Sequence, residues 1–181
     1  MKPTHIPMQK SPFDLITNLR RTFWILIGKP LFRISFHNWY FYRNIILNVF
    51  GAKIASTARL RRSVQIEMPW NLEMAEFSTV GSYAYLYNLA PIYIGHEALI
   101  SQYAQICTGT HNYEDPKMPL VSKAIRIERR CWIATGAFIG PGVYVAEGAI
   151  LGAKSVTFKN LEKWTIYAGN PAKIIKTRKQ F

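Results

Sequence analysis

Cysteine, acidic residues and long apolar runs are all scarce in this chain of 181 residues. Its two cysteines, Cys107 and Cys131, form neither a CxxC motif nor a dense framework, so the sequence supports neither a zinc site nor a disulfide scaffold. No two of the four histidines have the spacing of metal ligands, and no metal is expected. The most apolar early run, residues 22–28, is too short to cross a bilayer, and no secretory signal is visible, which predicts a cytoplasmic protein.

The scarcity of acidic residues leaves a formal net charge of +13 that is unevenly distributed. Residues 1–62 contain eleven basic residues and one acidic residue, residues 63–126 are slightly acidic, and residues 127–181 are basic again. The two basic ends of the chain indicate an anionic partner, which could be nucleic acid, a nucleotide-containing ligand or anionic lipid. No nucleic-acid-binding module is present, so nucleic acid is not expected. The basic N-terminus leaves open a peripheral contact with the inner face of a membrane or with a lipid-linked sugar.

What the chain has in abundance is an aliphatic residue at every sixth position. With two register breaks of two residues and one longer interruption, fourteen hexads open on Ile, Leu or Val: Ile54, Leu60, Ile66, Leu72, Val80, Leu86, Ile94, Ile100, Ile106, Ile127, Ile133, Ile139, Val145 and Leu151. The fifth position is small in twelve of them, with Trp70 and Glu76 as the exceptions. A period of six does not follow the turn of a helix, so the repeat predicts short strands.

Each hexad is expected to supply one strand on one wall of a triangular prism and then to turn a corner. The aliphatic and the small residue point into a narrow interior, and glycine eases sharp corners at Gly95, Gly140 and Gly142. With three hexads per coil, the fourteen hexads give between four and five coils in a domain of residues 54–169. Residues 112–126 interrupt the repeat, and long excursions from a regular scaffold are usually functional.

The segment before the prism, residues 1–53, is expected to form an arm and a helical cap. Asn38 is a candidate N-cap for a helix from Trp39 to Phe50, which ends at Gly51. One side of that helix would plug the open end of the prism; it comprises Trp39, Tyr42, Ile46, Val49 and Phe50.

The C-terminal tail, residues 170–181, is also expected to contain a helix. Gly169-Asn170-Pro171 is typical of a turn that redirects the chain. The basic segment from Ala172 to Lys179 is interpreted as a short helix that follows this turn.

His111 is the candidate catalytic residue because it joins the regular scaffold to the insertion, in the segment Cys107-Thr-Gly-Thr-His111-Asn-Tyr-Glu-Asp-Pro116. Imidazole is the side chain best suited to remove a proton from a hydroxyl at neutral pH. The other histidines fall in the N-terminus, before a helix and in a repeat corner, and are weaker candidates: His5, His37 and His96. No local Ser or Cys triad is present, so a direct transfer without a covalent enzyme intermediate is favoured.

Three further segments carry a family resemblance: Trp132-Ile-Ala-Thr135, Gly152-Ala-Lys-Ser155 and Ala168-Gly-Asn-Pro-Ala172. Together with the hexads and the His111 segment, they resemble the hexapeptide-repeat acetyltransferases. Within that family the chain is most similar to the colanic acid biosynthesis acetyltransferases, which share the Pro-Trp-Asn-Leu stretch at residues 69–72 and the Tyr-Asn-Leu stretch at residues 87–89. The resemblance covers nearly the whole chain from about Phe13 onward.

The resemblance implies a homotrimer of left-handed parallel β-helices, with the active site in the cleft between neighbours and acetyl-CoA, the acyl donor, along the prism wall. His111 matches the family's catalytic histidine, Trp132 a tryptophan beside the acyl-transfer centre, and Asn88 an acceptor-binding asparagine. The positions that match contacts to the pantetheine arm and the phosphates of acetyl-CoA are Thr135, Ala153, Lys159, Lys173 and Lys176.

These assignments have structural alternatives. Asn88 could instead cap a turn, and Trp132 could pack between copies. Thr135 and Ala153 could be repeat corners, and the three lysines could be a solvated basic face. At the level of function, we expect an O-acetyltransferase that acts on a sugar hydroxyl in exopolysaccharide biosynthesis, with His111 as the general base. The alternatives are an N-acetyltransferase that acts on an amino sugar and a non-catalytic trimeric scaffold.

Overall fold

The hexads form short strands that build the three walls of a prism. The computed structural model describes residues 12–181, so His5 and the first part of the expected N-terminal arm lie outside the described residues. The first sheet consists of β1 (Lys53–Ile54), β4 (Leu72–Met74), β7 (Ile92–Ile94), β12 (Ile125–Ile127) and β15 (Tyr144–Val145). The second consists of β2 (Arg59–Leu60), β5 (Thr79–Val80), β8 (Leu99–Ile100), β13 (Trp132–Ile133), β16 (Ile150–Leu151) and β18 (Thr165–Ala168). The third consists of β3 (Gln65–Ile66), β6 (Tyr85–Tyr87), β9 (Gln105–Cys107), β14 (Phe138–Ile139) and β17 (Val156–Thr157).

Consecutive strands of the prism lie on different walls, and each coil returns the chain to the first sheet. In the first two coils, β4 pairs in parallel with β1, so that Lys53 lies opposite Glu73. The sixth coil is marked by a parallel bridge between Val145 and Leu161 and by the pairing of β18 with β16. This is the parallel β-helix that the hexads predict. It has about six turns rather than four to five, because coiling continues beyond the last regular hexad.

The interior of the prism is filled by the fourteen aliphatic hexad residues, all of which are buried. Small residues such as Ala58, Ala104 and Ala149 are buried beside them. The alternation of one branched and one small side chain suits a narrow interior, because protein cores are closely packed. The central prediction from the repeat is therefore confirmed.

The register of the second coil differs from the predicted one. Met74, rather than Leu72, aligns with Ile54 below it and Ile94 above it. A 3₁₀ turn, Pro69–Asn71, lengthens the preceding corner, so the two extra residues come before β4 and not after it. Glu76 is then no exception to the pattern, because the small inward position of this coil belongs to the buried Ser78.

Most corners of the prism are made by residues other than glycine. A left-handed backbone conformation, with φ between 54° and 61°, occurs at Phe77, Tyr83, Glu97, Tyr103, Arg130, Lys154 and Trp164. Gly142 shares this conformation, with φ of 79°. Gly95 is required for a different reason, since a Cβ there would lie 2.7 Å from the backbone nitrogen of Arg129. The sequence did not indicate how many non-glycine residues take this conformation.

The insertion is a β-hairpin that leaves the prism between the third and the first sheet. Its antiparallel strands are β10 (Gly109–His111) and β11 (Leu120–Ser122). The backbone N–H of Lys123 donates to the carbonyl of Thr108 at 2.9 Å and closes the base of the hairpin. The predicted bounds, 112–126, are therefore displaced: the excursion runs over residues 108–124, and Ile125 is already buried in β12.

The N-terminal segment is helical, as predicted. Its helices are α1 (Leu15–Phe23), which continues through a π-helical turn (Trp24–Gly28) into α2 (Lys29–Arg33), and α3 (Tyr40–Val49). The side chain of Asp14 accepts a hydrogen bond from the backbone of Thr17 at 2.8 Å and caps α1. The indole of Trp24 is buried and donates to the carbonyl of Ile66 at 2.9 Å, which fixes this segment to the third sheet.

Helix α3 covers the end of the first coil with a face that differs from the predicted one. The N-cap position belongs to Trp39, without a side-chain hydrogen bond, so the prediction of Asn38 as the cap is wrong. Trp39 and Val49 are exposed rather than buried. The buried residues of the helix are Arg43, Asn44, Ile46 and Leu47.

The C-terminal tail forms a strand, and the predicted helix from Ala172 to Lys179 is wrong. Strand β19 (Lys173–Thr177) pairs antiparallel with β18 at the edge of the second sheet. The free edge of the last coil offers unpaired backbone groups, and pairing with the tail satisfies them. Among residues 12–181, no helix is long and apolar enough to span a bilayer.

Candidate active site

His111 is oriented by the backbone of its own hairpin. Its Nδ1 lies 2.6 Å from the carbonyl oxygen of Met118. The hairpin turn positions Met118, whose N–H donates to the carbonyl of Asp115 at 2.7 Å. Because a carbonyl oxygen only accepts, the neutral imidazole carries its proton on Nδ1 and presents the lone pair on Nε2. The side chain is exposed, so Nε2 is open to a hydroxyl group of a ligand.

A pocket lies on the third sheet directly before the hairpin. It has a volume of about 150 Å³ and is lined by Tyr85, Tyr87, Gln105, Ile106 and Cys107, which we call the aromatic pocket. The hydroxyl of Tyr85 donates to Oε1 of Glu67 at 3.0 Å. Burial, with the carboxylate of Glu67, raises the pKa of the Tyr85 phenol, so Tyr85 stays a hydrogen-bond donor at neutral pH.

Five of the predicted site residues lie along the second sheet and its corner with the third; we call them the second-sheet strip: Trp132, Thr135, Ala153, Lys173 and Lys176. Trp132 in β13 is 43% exposed, and its indole N–H donates to the hydroxyl of Ser101 at 2.9 Å. Thr135 and Ala153 follow β13 and β16 at the corner, and the two lysines lie on β19. From β13 to β19 the strip extends over three strand spacings, roughly 14 Å.

Two other predicted residues lie elsewhere on the prism. The hairpin that carries His111 leaves at the corner between the third and the first sheet, and Lys159 follows β17 toward the same corner. The backbone N–H of Lys159 donates to the hydroxyl of Thr157 at 3.1 Å. Within residues 12–181, no hydrogen bond or ion pair joins His111 to the second-sheet strip. One chain alone therefore does not bring His111 and Trp132 onto one face.

Asn88 has a structural environment that contradicts its predicted role as an acceptor-binding side chain. It is 0% exposed, and its Oδ1 accepts from the backbone N–H groups of Glu67 and Met68 at 3.1 Å and 3.0 Å. Its Nδ2 donates to the carbonyl of Met68 at 2.6 Å. The amide thus holds the widened corner that precedes the 3₁₀ turn, as the turn-cap alternative proposes, and it is closed to a ligand.

Neither cysteine is activated as a nucleophile. Burial raises the pKa of the Cys131 thiol to about 12. Burial also raises the pKa of the Cys107 thiol, although this residue borders the aromatic pocket. Both side chains therefore stay protonated at neutral pH, which favours a transfer without a covalent cysteine intermediate.

Sequence reasoning missed Tyr85, Tyr87 and Met118 as parts of this region. The two tyrosines flank Leu86, an inward hexad residue, so the alternation of a strand would have placed both of them outward. In the next coil, Gln105 and Cys107 occupy the equivalent outward positions. The pairing of β6 with β9 places them beside the two tyrosines. The contact from Met118 had no sequence signal, because it comes from a backbone carbonyl in a turn.

The comparisons with known proteins agree with the fold described above. No protein-family model matches the chain. WcaF of Escherichia coli strain K12, which is assigned to colanic acid biosynthesis as an acetyltransferase, is 36% identical over 155 residues, 86% of this chain and 85% of WcaF. A hexapeptide-repeat acetyltransferase of Vibrio cholerae O1 biovar eltor in complex with acetyl-CoA superimposes with a TM-score of 0.83 at 20% identity, over 95% of this chain and 94% of that one. A maltose O-acetyltransferase of Clostridium difficile 630 gives 0.81 at 22% identity, over 92% and 90%.

The chain is a parallel β-helix of hexads with a histidine on an inserted hairpin. The two solved structures share this fold with the chain over more than nine-tenths of its length. With the sequence identity to WcaF over most of both chains, the chain belongs to the hexapeptide-repeat acetyltransferases and is an acetyltransferase.

Proposed function

We propose that the protein transfers the acetyl group of acetyl-CoA to a saccharide hydroxyl during polysaccharide biosynthesis, with His111 as the general base. The observation that carries this proposal is the hydrogen bond from Nδ1 of His111 to the Met118 carbonyl, because it leaves Nε2 as the proton acceptor. The assignment of WcaF to colanic acid biosynthesis and the maltose acceptor of the Clostridium enzyme support a saccharide. The acetyl-CoA held by the Vibrio enzyme supports the donor.

In the proposed reaction, Nε2 of His111 takes the proton of the acceptor hydroxyl as its oxygen attacks the thioester carbonyl. A tetrahedral oxyanion forms, which backbone N–H groups of the prism wall would stabilise. When the carbon–sulfur bond breaks, the imidazolium returns the proton to the leaving thiolate. The Met118 carbonyl also stabilises the imidazolium, since Nδ1–H donates to it in both protonation states. Products are the acetyl ester and free CoA.

The second-sheet strip is the proposed binding surface for acetyl-CoA. Trp132 would lie beside the thioester, and Thr135 and Ala153 beside the pantetheine arm. Lys173 and Lys176 are exposed on β19, about 14 Å from β13, and would supply the cations that the pyrophosphate and the 3′-phosphate need. Within the described residues, neither ammonium group forms an ion pair.

A homotrimer is the proposed assembly, because it would join the two halves of the site. His111 and Lys159 lie at the corner between the third and the first sheet, whereas the strip lies on the second. In the proposed ring of three copies, the corner of one chain would meet the second sheet of the next through a head-to-tail interface. His111 of one chain would then act on acetyl-CoA bound to its neighbour, and Lys159 would lie near the same donor.

The aromatic pocket is the proposed contact for the saccharide. Sugar rings place C–H groups on aromatic faces and hydroxyls on polar groups, and the pocket offers both through its two tyrosines and Gln105. It precedes the hairpin directly, on the strand that leads to His111. The second tyrosine, Tyr87, also has its pKa raised by burial, so both phenols are donors at neutral pH.

The test of this proposal is acetyl-CoA turnover, followed by thiol release, across a panel of sugars, nucleotide sugars and lipid-linked sugars. We expect turnover only with a saccharide present, and an acetyl group that mild base removes, as for an ester. A base-stable product on an amino sugar would show that the protein is an N-acetyltransferase and not an O-acetyltransferase. Absence of turnover with the whole panel would favour the non-catalytic scaffold.

A further inference from the structure

The N-terminal helices expose a continuous apolar face. It consists of Leu15, Ile16, Leu19, Phe23, Leu26 and Ile27, which we call the N-terminal apolar face. Their spacing places all six within about 120° of the helix circumference. Each of them is between 47% and 75% exposed, and no residue of α1 is buried. Packing against the prism therefore does not account for this face.

The charge around this face has one sign. Arg20, Arg21, Lys29 and Arg33 lie on the same helices, and Asp14 is the one acidic residue among the first 62. Arg20 and Arg21 lie over the rings of Trp70 and Phe13, with 4.3 Å and 4.7 Å to the ring centroids, and keep their charge near the helix surface. A second copy of this surface would bring the same positive charge, so charge complementarity favours an anionic partner.

We propose that the N-terminal apolar face binds an anionic lipid bilayer, with the helices α1 and α2 lying in the plane of its surface. A helix that combines an apolar face with lysine and arginine has the pattern of an interfacial helix. The apolar side chains enter the boundary between headgroups and acyl chains, and the basic side chains meet lipid phosphates. No core contact of α1 is lost on insertion, because none of its residues is buried. This proposal does not depend on the chemistry of His111.

Vesicle sedimentation with the full chain tests the proposal. We expect binding to vesicles of phosphatidylcholine mixed with phosphatidylglycerol, and little binding to phosphatidylcholine alone. The double variant Leu19→Gln with Phe23→Gln should weaken binding at least about tenfold. Burial of one large apolar side chain in the bilayer changes the partition coefficient by about that factor. Arg33→Gln should weaken it about fivefold, and less at high salt.

Phe77→Gln is the matched control, since Phe77 is 59% exposed, like Phe23 at 58%, but lies at a corner of the prism. It should bind vesicles as the wild type does. Equal binding by the double variant and the wild type, or no binding to anionic vesicles, would overturn the proposal. A change of oligomeric mass on Leu19→Gln with Phe23→Gln, without a change in vesicle binding, would assign the face to contacts between copies instead.

Discussion

At the scale of single residues, buried amide groups determine the local shape of the prism. The side chain of Asn88 satisfies the N–H groups of Glu67 and Met68 and the carbonyl of Met68, where the chain departs from the regular hexad. Asn71 acts in the same region by donating to the carbonyls of Asn88 and Leu89 at 3.1 Å and 2.9 Å. A sequence motif that contains such residues looks like a binding site, although their polar atoms point inward.

Asn88→Ala is expected to reduce stability and not acceptor binding. It leaves the N–H of Met68 without a partner in a buried corner and removes one of the two partners of the Glu67 N–H and of the Met68 carbonyl. The free energy of unfolding should therefore fall by about 2 kcal/mol. Denaturant unfolding measures this change, with Asn38→Ala, an exposed position before α3, as a control that should leave stability unchanged. An Asn88→Ala variant of normal stability with a raised KM for the saccharide would restore Asn88 to the acceptor site.

At the scale of elements, helix α3 acts as a polar plug. The first coil has no coil below it, so its backbone carbonyls need other donors. Arg43 Nε donates to the Leu60 carbonyl at 2.7 Å, and Asn44 Nδ2 donates to the Ala58 carbonyl at 2.9 Å. Asn48 exchanges two hydrogen bonds with the backbone of Ile54. A search for an apolar stripe selects the wrong face of this helix, because all four of these hydrogen bonds come from polar residues.

Arg43→Met should lower the free energy of unfolding by about 3 kcal/mol or more, since several carbonyl groups lose a charged donor in a buried site. Arg62→Met, which removes an exposed arginine nearby, is the matched control and should have little effect. Equilibrium unfolding in denaturant measures both variants. Equal stability of the two variants would show that the plug is not held by Arg43.

Strand β19 is the element on which donor binding is proposed to depend. Lys173→Gln with Lys176→Gln should raise the KM for acetyl-CoA about tenfold or more and leave the KM for the saccharide unchanged, because two charge-assisted contacts to phosphates are lost. The effect should disappear with a short acetyl thioester that lacks the nucleotide.

The control for this double variant is Lys53→Gln with Arg62→Gln, which removes the same charge from the first coil. Steady-state kinetics of both variants separate a local contact from a change in net charge. A double variant with an unchanged KM for acetyl-CoA and weakened, salt-sensitive binding to nucleic acid would assign the lysines to another partner.

At the scale of the whole molecule, the parallel β-helix could be predicted because its period of six is a local property. The predicted register of the second coil is wrong because the hydrophobic pattern does not indicate the 3₁₀ turn Pro69–Asn71. The strand at Lys173–Thr177 could not be predicted, since its partner is the free edge of the last coil. His111 could be found from its position at the root of the insertion, whereas the Met118 carbonyl that orients it could not.

The proposed assembly predicts complementation between two inactive variants. If each site takes His111 from one chain and Trp132 from the next, trimers formed from a mixture of His111→Ala and Trp132→Ala chains contain some intact sites. An equal mixture assembled from unfolded chains should regain about a quarter of the wild-type activity, as random placement in a cyclic interface requires. Each variant assembled alone is the control. No recovery in mixed trimers would place both residues in a site within one chain.

The most direct test of the central claim, that His111 is the general base of an acetyl transfer, is the kcat of His111→Ala with acetyl-CoA and the acceptor found by the panel. The variant should fold normally, keep its KM for acetyl-CoA, and lose about 10²–10⁴-fold in kcat, the usual contribution of general base catalysis. His96→Ala, at a corner of the prism, is the control and should be active. A His111→Ala variant with wild-type kcat would contradict the account and reduce His111 to a residue of the hairpin.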